Sequence, residues 1–510
     1  MKFERASGLL LHPSSLPGQF GIGDLGSEAF RFIDILAEAR QTYWQILPLG
    51  PTGYGDSPYQ CFSAFAGNTL LMSPEKLIDD GLISSHDIET KPGFHDDKVD
   101  FGAVHDWKNV LLSHAYKGFI KYGGDDLINE FEIFCDENGW WLDDYAAYRS
   151  IKRSHGQKPW FKWPEALRRR DEKALRNAVE KLTDEIRAEK FYQFLFFRQW
   201  RAVKDHADQS GIKIIGDIPI FVAHDSADVW ADQGEFRLNA DGTPKVVSGV
   251  PPDYFSKTGQ LWGNPIYDWD VMRAGNFRWW IARVRSMLNM VDVVRLDHFR
   301  GFAASWEVPG GDKTAENGHW VDAPGKELFT SLQNEFGELP VIAEDLGAIT
   351  PDVEELRDRF EFPGMRILQF AFGGDARNHD LPHNYVRNCV AYTGTHDNDT
   401  TAGWFLAQAA PSSKRDTKAI SPVQEHCLTY LNADGSEISW DFIRAIWASV
   451  ADIAITPVQD LLGLGNQARM NLPASTSGNW QWRMRPDAFT DDIVERLKNL
   501  TITYGRDAAK

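Results

Sequence analysis

The sequence predicts a (β/α)8 barrel, the TIM-barrel fold, on the basis of three observations. Eight short apolar runs are spread along the 510 residues, polar or glycine-rich residues follow them, and helical patterns separate most of them. Buried strands that alternate with helices are typical of α/β folds, and eight such parallel strands can close into a barrel. The predicted strands are residues 8–11, 44–49, 212–217, 291–297, 340–344, 365–370, 390–395 and 451–457.

A helix is predicted after the first strand, over residues 27–39. Phe30, Ile33, Leu36 and Ala37 recur there with the spacing that places them near one helix face. A helix at this point is what the alternation of a barrel requires.

The stretch between the second and third predicted strands is far longer than a βα crossover needs. Helical patterns recur within it, most clearly over residues 180–203. We therefore predict a mostly helical insertion over about 74–205, and a second helical insertion over about 405–448. With no internal repeat and no low-complexity linker, residues 1–510 are predicted to form a single catalytic domain with the insertions packed against the barrel.

Composition argues against several classes of partner. The formal net charge of −19 disfavours nucleic acid and anionic membranes, which both attract clustered Lys and Arg. No apolar run reaches the roughly 20 residues of a membrane span, and the first residues lack the apolar region of a signal peptide. The four cysteines show no CxxC spacing, so neither a metal cage nor a redox motif is expected. These features predict a soluble cytoplasmic protein and leave its oligomeric state open.

Acidic residues end four of the predicted strands: Asp217, Asp297, Glu344 and Asp397. The carboxyl ends of barrel strands meet at one face, which is where active sites of this fold lie. Because several carboxylates buried together are costly unless they are paired or used, their convergence predicts a functional site.

The segment that ends the fourth strand carries the most specific pattern. Arg295 and Asp297 are two positions apart, so on an extended strand their side chains face the same way. A cation beside a carboxylate keeps it ionised, as a nucleophile requires, although the same pattern also fits a plain salt bridge at a barrel mouth. The negative charge of Asp297 would raise the proton affinity of Glu344 and suit it to the acid role in retaining glycoside chemistry.

Two further patterns have competing interpretations. Asp397, with His396 beside it, could bind sugar hydroxyls and help to distort a sugar ring, or His396 could be an ordinary buried histidine. The chain contains 19 Trp, and some, such as Trp262 within the polar stretch 260–264, could pack on pyranose faces, whereas most Trp are expected in the core.

A metal site is the main alternative for the same polar side chains. Good ligand types are present at Asp217, His298, Glu344, His396 and Asp397. No His-x-His or HExxH pairing accompanies them, and the Trp-rich loops suit a sugar better than an ion. We expect no metal and no organic cofactor, because the carboxylates alone can do the chemistry.

Several sequence blocks, in order along almost the whole chain, carry a family resemblance. They are residues 8–17, 50–59, 216–223, 249–255, 295–301, 343–347, 395–398 and 480–483. With these blocks the sequence resembles the amylomaltases, or disproportionating enzymes, of glycoside hydrolase family 77, relatives of the α-amylase clan. One short block would be weak, but this ordered set is highly specific.

The resemblance implies a 4-α-glucanotransferase that moves a segment of an α-1,4-glucan donor to the 4-hydroxyl of glucose or a maltooligosaccharide acceptor. It implies that Asp297 is the nucleophile, Glu344 the acid/base and Asp397 the carboxylate that stabilises the transition state. It also implies a mobile loop over residues 249–255, with Asp253 reaching toward the acceptor. The substrate-binding residues implied are Tyr54, Ser57, Tyr59, Asp217, Asp253, Gln260, Trp262, Arg295, His298 and His396.

The carboxylates by themselves do not distinguish transfer from hydrolysis, since both outcomes share one covalent intermediate. A retaining α-glucan hydrolase is therefore the alternative enzyme, and it would release free reducing ends. A glucan-binding module without catalysis is the remaining alternative, but such a module has no need of Asp297, Glu344 and Asp397 together. A closing loop and a well-formed acceptor subsite favour the sugar over water.

Overall fold

The strands form one closed barrel and one small separate sheet. The computed structural model describes residues 2–252, 256–408, 421–473, 475 and 477–507, with only the backbone of Tyr54 described. The strands of these residues are β1 Ala6–Leu10, β2 Tyr43–Gln45, β3 Lys213–Pro219, β4 Val246–Val250, β5 Gln260–Pro265, β6 Val293–Asp297, β7 Ala304–Pro309, β8 His319–Asp322, β9 Val341–Ala343, β10 Gly364–Ile367, β11 Cys389–Tyr392 and β12 Ile453–Pro457.

Eight of these strands close the barrel in the order β1-β2-β3-β6-β9-β10-β11-β12, and every pairing is parallel. The predicted fold is confirmed, because each predicted strand overlaps one barrel strand. Strands covered by helices outside and by side chains inside carry continuous apolar runs rather than alternating ones. All five residues of β1 and all five of β12 are buried accordingly.

Helices surround the barrel and fill the long connections. They are α1 Ser27–Glu38, α2 Pro74–Asp79, α3 Ser85–Glu89, α4 Phe101–Tyr122, α5 Asp125–Ser154, α6 Glu165–Arg168, α7 Glu172–Lys181, α8 Thr183–Gln209, α9 Ala227–Ala231, α10 Trp269–Ala274, α11 Arg278–Leu288, α12 Gly325–Phe336, α13 Pro351–Arg359, α14 Thr401–Ala407, α15 Pro422–Leu431, α16 Ile438–Ala448, α17 Val458–Leu461 and α18 Asp491–Thr503. Seven of them, α2 to α8, lie between β2 and β3.

The last helix of this group has two roles. α8 packs on α5 through aromatic side chains such as Phe194, whose ring centroid lies 5.7 Å from that of Phe131. It also contacts α1 and leads into β3, so it occupies the place of a barrel helix. The helical stretch between β2 and β3 is thereby joined to the barrel by packing as well as by the chain.

The small sheet is an element that the sequence did not predict. Its strands β5, β4, β7 and β8 are antiparallel, and we call it the accessory sheet. Gly249 and Val250, expected in a mobile loop, belong to β4, while Asp253 and the two residues after it lie outside the described residues. Glycines interrupt β4 and β5, and most residues of β5 are not buried, so neither a regular alternation nor a long apolar run predicts these strands.

The segment after β12 returns across the carboxyl face of the barrel. The Met484 N–H donates to the Ser15 carbonyl over 2.8 Å, and the Arg483 guanidinium donates to the Gly18 carbonyl over 2.7 Å. This path brings residues from the end of the chain beside residues from its beginning. In the part of the chain that the structure describes, no helix combines the length and apolar composition needed to cross a bilayer.

Candidate active site

The four predicted carboxylates lie at the carboxyl face of the barrel. Asp217 is within β3, Asp297 ends β6, Glu344 follows β9 directly, and Asp397 lies in the turn after β11. A cleft of about 1490 Å³ opens at this face, and Asp297, Glu344 and Asp397 all line it. The barrel geometry thus brings together side chains that are far apart in the sequence, as predicted from the strand ends.

Arg295 joins two of the carboxylates. Its Nη1 lies 2.7 Å from Asp217 Oδ2 and 3.0 Å from Asp297 Oδ1, which confirms that Arg295 and Asp297 face the same way. The Tyr59 hydroxyl donates to the same Asp217 oxygen over 2.7 Å. Burial raises the pKa of Asp217 to about 7, although Arg295 acts in the opposite direction.

The effect of Arg295 on Asp297 differs from the sequence interpretation. Burial raises the pKa of Asp297 above its ordinary value, and the lowering by the nearby guanidinium does not outweigh it. The reason is that Arg295 serves Asp217 as well, while the whole group is removed from water. The cation therefore limits the cost of burying Asp297 rather than producing an unusually acidic carboxyl.

Glu344 is held by the backbone of two loops. The His298 N–H donates to Oε2 over 2.6 Å, and the Leu346 N–H donates to Oε1 over 3.0 Å. His298 adopts a left-handed conformation, with φ of 53°, which is uncommon for a residue other than glycine and is found at functional sites. Burial, with a smaller effect from Asp297, raises the pKa of Glu344 to about 8, so this carboxyl is mostly protonated at neutral pH.

Asp397 is fixed by a residue from the returning C-terminal segment. The Asn471 side-chain amide donates to Asp397 Oδ1 over 2.7 Å, and His396 Nε2 lies 3.4 Å from the same oxygen. The His396 ring stacks on Tyr59 with centroids 5.3 Å apart. Burial lowers the pKa of His396, so its ring is uncharged at neutral pH, and the face of the ring packs against Tyr59.

The predicted substrate-binding residues fall into three groups. Those that line the cleft are Ser57, Tyr59, Gln260, Trp262, Arg295 and His298. Asp217 and His396 are buried and do not line the cleft; Asp217 contacts the lining residues Tyr59 and Arg295, and His396 contacts Tyr59 and Asp397. The prediction for Asp253 lies outside the described residues, as does that for the Tyr54 side chain.

Sequence reasoning missed several residues of the site. Asn471 is one, because its contact spans 74 positions and no local pattern marks it. Trp480, 5.8 Å from Tyr59 between ring centroids, belongs to the resemblance block 480–483 and could have been placed here from that block. Phe370 lines the cleft and is 48% exposed, and it lies at the end of a predicted strand as the predicted catalytic carboxylates do.

The arrangement places a candidate acid and a candidate nucleophile in one cleft. Asp297 lies beside a fixed cation and Glu344 has a raised pKa, and retaining glycoside chemistry requires a pair of carboxyl groups in two such different environments. Among the described residues, no group of three or more His, Cys, Asp or Glu side chains is placed to hold a metal ion. Asp217, one of the alternative metal ligands, has one oxygen already occupied by Tyr59 and Arg295.

Comparison with known proteins gives concordant results. The family model for glycoside hydrolase family 77, described as 4-alpha-glucanotransferase, matches residues 11–490. The chain is 50% identical over 500 residues to the 4-alpha-glucanotransferase of Thermus thermophilus, with 98% of each chain covered. It is 48% identical over 507 residues to the Synechocystis 4-alpha-glucanotransferase, with 99% of this chain and 98% of that one covered.

A solved structure agrees with these sequence relatives. The amylomaltase from Streptococcus agalactiae, determined in complex with acarbose, superimposes with a TM-score of 0.93 at 40% identity. The alignment covers 99% of this chain and 100% of that one. The similarity therefore includes the barrel, the helices between β2 and β3, and the segment after β12.

Proposed function

The chain belongs to glycoside hydrolase family 77, the 4-α-glucanotransferases, and from that premise we propose how its site performs the transfer. The protein is a glycosyltransferase of this type. The observation that carries the proposed mechanism is the pairing, in one cleft, of Asp297 beside a cation with Glu344 as a protonated acid.

In the first step, an Asp297 carboxylate oxygen attacks the anomeric carbon of the glucan donor. The bond from that carbon to the glycosidic oxygen breaks, and Glu344 gives its proton to the departing 4-oxygen. The shorter glucan leaves with a free 4-hydroxyl, and the donor segment stays bound to Asp297 as an ester. The backbone donors from His298 and Leu346 hold Glu344 in place for this transfer.

In the second step, the 4-hydroxyl of the acceptor attacks the same carbon from the side that the first product vacated. Glu344, now ionised, takes the hydroxyl proton, and the bond to Asp297 breaks. The configuration is retained because the carbon is inverted twice. Asp397, oriented by Asn471, holds sugar hydroxyls and favours the distorted ring of the transition state.

We propose an α-1,4-glucan as donor and glucose or a maltooligosaccharide as acceptor. Acarbose bound to the Streptococcus agalactiae amylomaltase supports a ligand of this class. Trp262 and Trp480 in the cleft provide flat apolar faces against which pyranose rings can pack. Ser57, Tyr59 and Gln260 add polar groups for sugar hydroxyls.

Three other properties are part of the proposal. One continuous hydrophobic core includes residues of the barrel, of the helices between β2 and β3, and of α15 and α16. It supports a single catalytic domain with helical insertions about 74–205 and 405–448, although residues 409–420 of the second insertion lie outside the described residues. The four cysteines are free, which suits a reducing compartment such as the cytoplasm. No metal or organic cofactor is required, because two carboxyl groups suffice for the proton and glycosyl transfers.

The roles of the two carboxyls can be tested by trapping the intermediate. In Glu344→Gln, an α-glucosyl fluoride needs no protonation to leave, so the first step proceeds while the second lacks its base. A glycosyl group should therefore accumulate on Asp297, and peptide mass spectrometry would locate it. The control Glu338→Gln changes an exposed glutamate and should accumulate nothing. A label on Asp397 or Asp217 would contradict the assignment of Asp297.

A further inference from the structure

The three residues that follow Asp297 all contact the loop that carries Glu344. The His298 N–H donates to the Glu344 side chain, and the Phe299 N–H donates to the Glu344 carbonyl over 3.0 Å. The third residue, Arg300, reaches further along the same loop. The mechanism above makes use of the first contact only.

Arg300 is a buried cation that donates to neutral oxygens. Its Nη1 lies 2.7 Å from the Ala348 carbonyl and 2.9 Å from the Thr350 hydroxyl, and the residue is 8% exposed. The Trp320 ring of β8 covers the guanidinium, with 3.8 Å between the guanidinium carbon and the ring centroid. The guanidinium is therefore held by two hydrogen bonds and by a cation–π contact.

The Thr350 hydroxyl does not make the hydrogen bond that is usual for a threonine at the start of a helix. Thr350 is the N-cap of α13, where a threonine side chain ordinarily accepts a hydrogen bond from the first turn of the helix. Here it makes no such capping bond and accepts from Arg300 instead. The hydroxyl thus contributes to the contact between the two loops rather than to the helix cap.

We propose that Arg300 is a positioning residue that holds the Glu344 loop in the geometry required for proton transfer. The inference rests on the proposed role of Glu344 as acid/base. Leu346, whose N–H orients Glu344, is joined to Ala348 through Gly347, which has a φ of 85° and gives the loop a flexible point. Anchoring Ala348 and Thr350 removes the freedom that this glycine would allow.

The accessory sheet also contacts the 298–300 segment. Trp320 of β8 covers Arg300, and Trp262 of β5 lies against the His298 ring with 4.6 Å between centroids. Both ends of the 298–300 segment are thus covered by one sheet, which also lines the cleft with Gln260 and Trp262. The sheet is therefore linked to the Glu344 loop through Arg300, and it also contributes residues to the cleft.

The test compares two donors that differ in their need for protonation. In Arg300→Met, kcat/KM for transfer from maltotriose should fall roughly tenfold to a hundredfold, since two hydrogen bonds from a charged group are lost. The rate of the initial burst of fluoride release from an α-glucosyl fluoride, which reports the first step alone, should change less than about threefold, because its leaving group needs no acid. Thr350→Val should shift the ratio of the two rates in the same direction by roughly twofold to fivefold.

Controls separate positioning from a purely structural role. Arg273→Met on the exposed side of α10 should leave both rates unchanged. An equal loss with both donors in Arg300→Met would overturn the inference, and if that variant does not fold, an unchanged ratio in Thr350→Val would overturn it. Glu344→Gln serves as the reference. If it too loses both rates equally, the acid role itself fails, whereas a selective loss there alone removes only the inference about Arg300.

Discussion

Within the site, the Arg295 guanidinium is shared between Asp217 and Asp297. Three charges removed from water in this way would be costly as isolated ions, and their pairing keeps the cost low enough for the fold to hold them. Glu344 has no such partner and receives backbone N–H donors instead. These donors lower the pKa of Glu344, but burial outweighs them and raises it to about 8, which suits this carboxyl to the acid role.

This raised pKa predicts the pH dependence of the reaction. Because the pKa of Glu344 is raised to about 8, the acid form is present below that pH and is lost as pH rises through it. With a glucan donor, kcat/KM should decline roughly tenfold for each pH unit above about 8. The charged groups facing Glu344 are Arg295, which stays protonated throughout and lowers the pKa of Glu344, and Asp297, which raises it.

Steady-state rates between pH 5 and pH 10 would check this expectation. With an α-glucosyl fluoride the alkaline decline should be much weaker, since its departure needs no acid. An alkaline decline of the same position and depth for both donors would assign the titration to another group.

At the scale of elements, α8 is attached to the segment before α2 by side-chain amides. The Gly67 N–H donates to Gln193 Oε1 over 2.7 Å, and Gln193 Nε2 donates back to the Gly67 carbonyl over 3.0 Å. Gln199 makes the same reciprocal pair with the backbone of Ser73. Both glutamines are buried, so these bonds satisfy backbone groups that no regular structure would otherwise pair.

Gln193→Leu should therefore destabilise the protein. The change leaves a buried N–H and a buried carbonyl without partners, at a cost of about 1–3 kcal/mol in the free energy of unfolding. Urea denaturation followed by tryptophan fluorescence would measure it. The control Gln209→Leu lies at the exposed end of the same helix and should change the free energy by no more than about 0.5 kcal/mol. Equal stabilities for the two variants would contradict the argument.

At the scale of the whole molecule, the last described helix leads to a residue that ties the amino-terminal face of the barrel together. The Arg506 guanidinium is fully buried and donates to the carbonyls of Trp447, over 2.7 Å, and Ala6, over 2.9 Å. It also donates to Ile446 and Ser449 at the end of α16, where a positive charge suits the helix dipole. This cation joins β1, α16 and the end of the chain, on the barrel face opposite the active site.

Arg506→Met should lower stability without altering the chemistry. Several buried carbonyls lose their donor, so we expect a loss of about 2–4 kcal/mol in the free energy of unfolding. Calorimetry would measure the fall in Tm, and kcat well below that temperature should stay unchanged. Arg377→Met, at a highly exposed arginine, is the control and should leave Tm unchanged. A fall in kcat with an unchanged Tm would place Arg506 in a different role.

The sequence by itself determined the barrel and the place of its carboxylates. Barrel strands are buried on both faces, so each carries its own signal as a short apolar run, and all eight runs overlap strands of the barrel. Because parallel strands end at one face, the positions of Asp297, Glu344 and Asp397 followed from the strand ends alone. Their catalytic roles came from the family resemblance and stay predictions.

Only the tertiary structure decided what surrounds those carboxylates. The Asn471 contact with Asp397 and the Arg300 contact with Thr350 join residues 74 and 50 positions apart, and no local pattern encodes such pairs. The accessory sheet was not predicted for a related reason: its short strands are recognised by their pairing with one another, which the local sequence does not show. The raised pKa of Glu344 depends on burial, which is a property of the assembled barrel and the segments folded across it, because desolvation acts through the whole surroundings and not through neighbours in sequence.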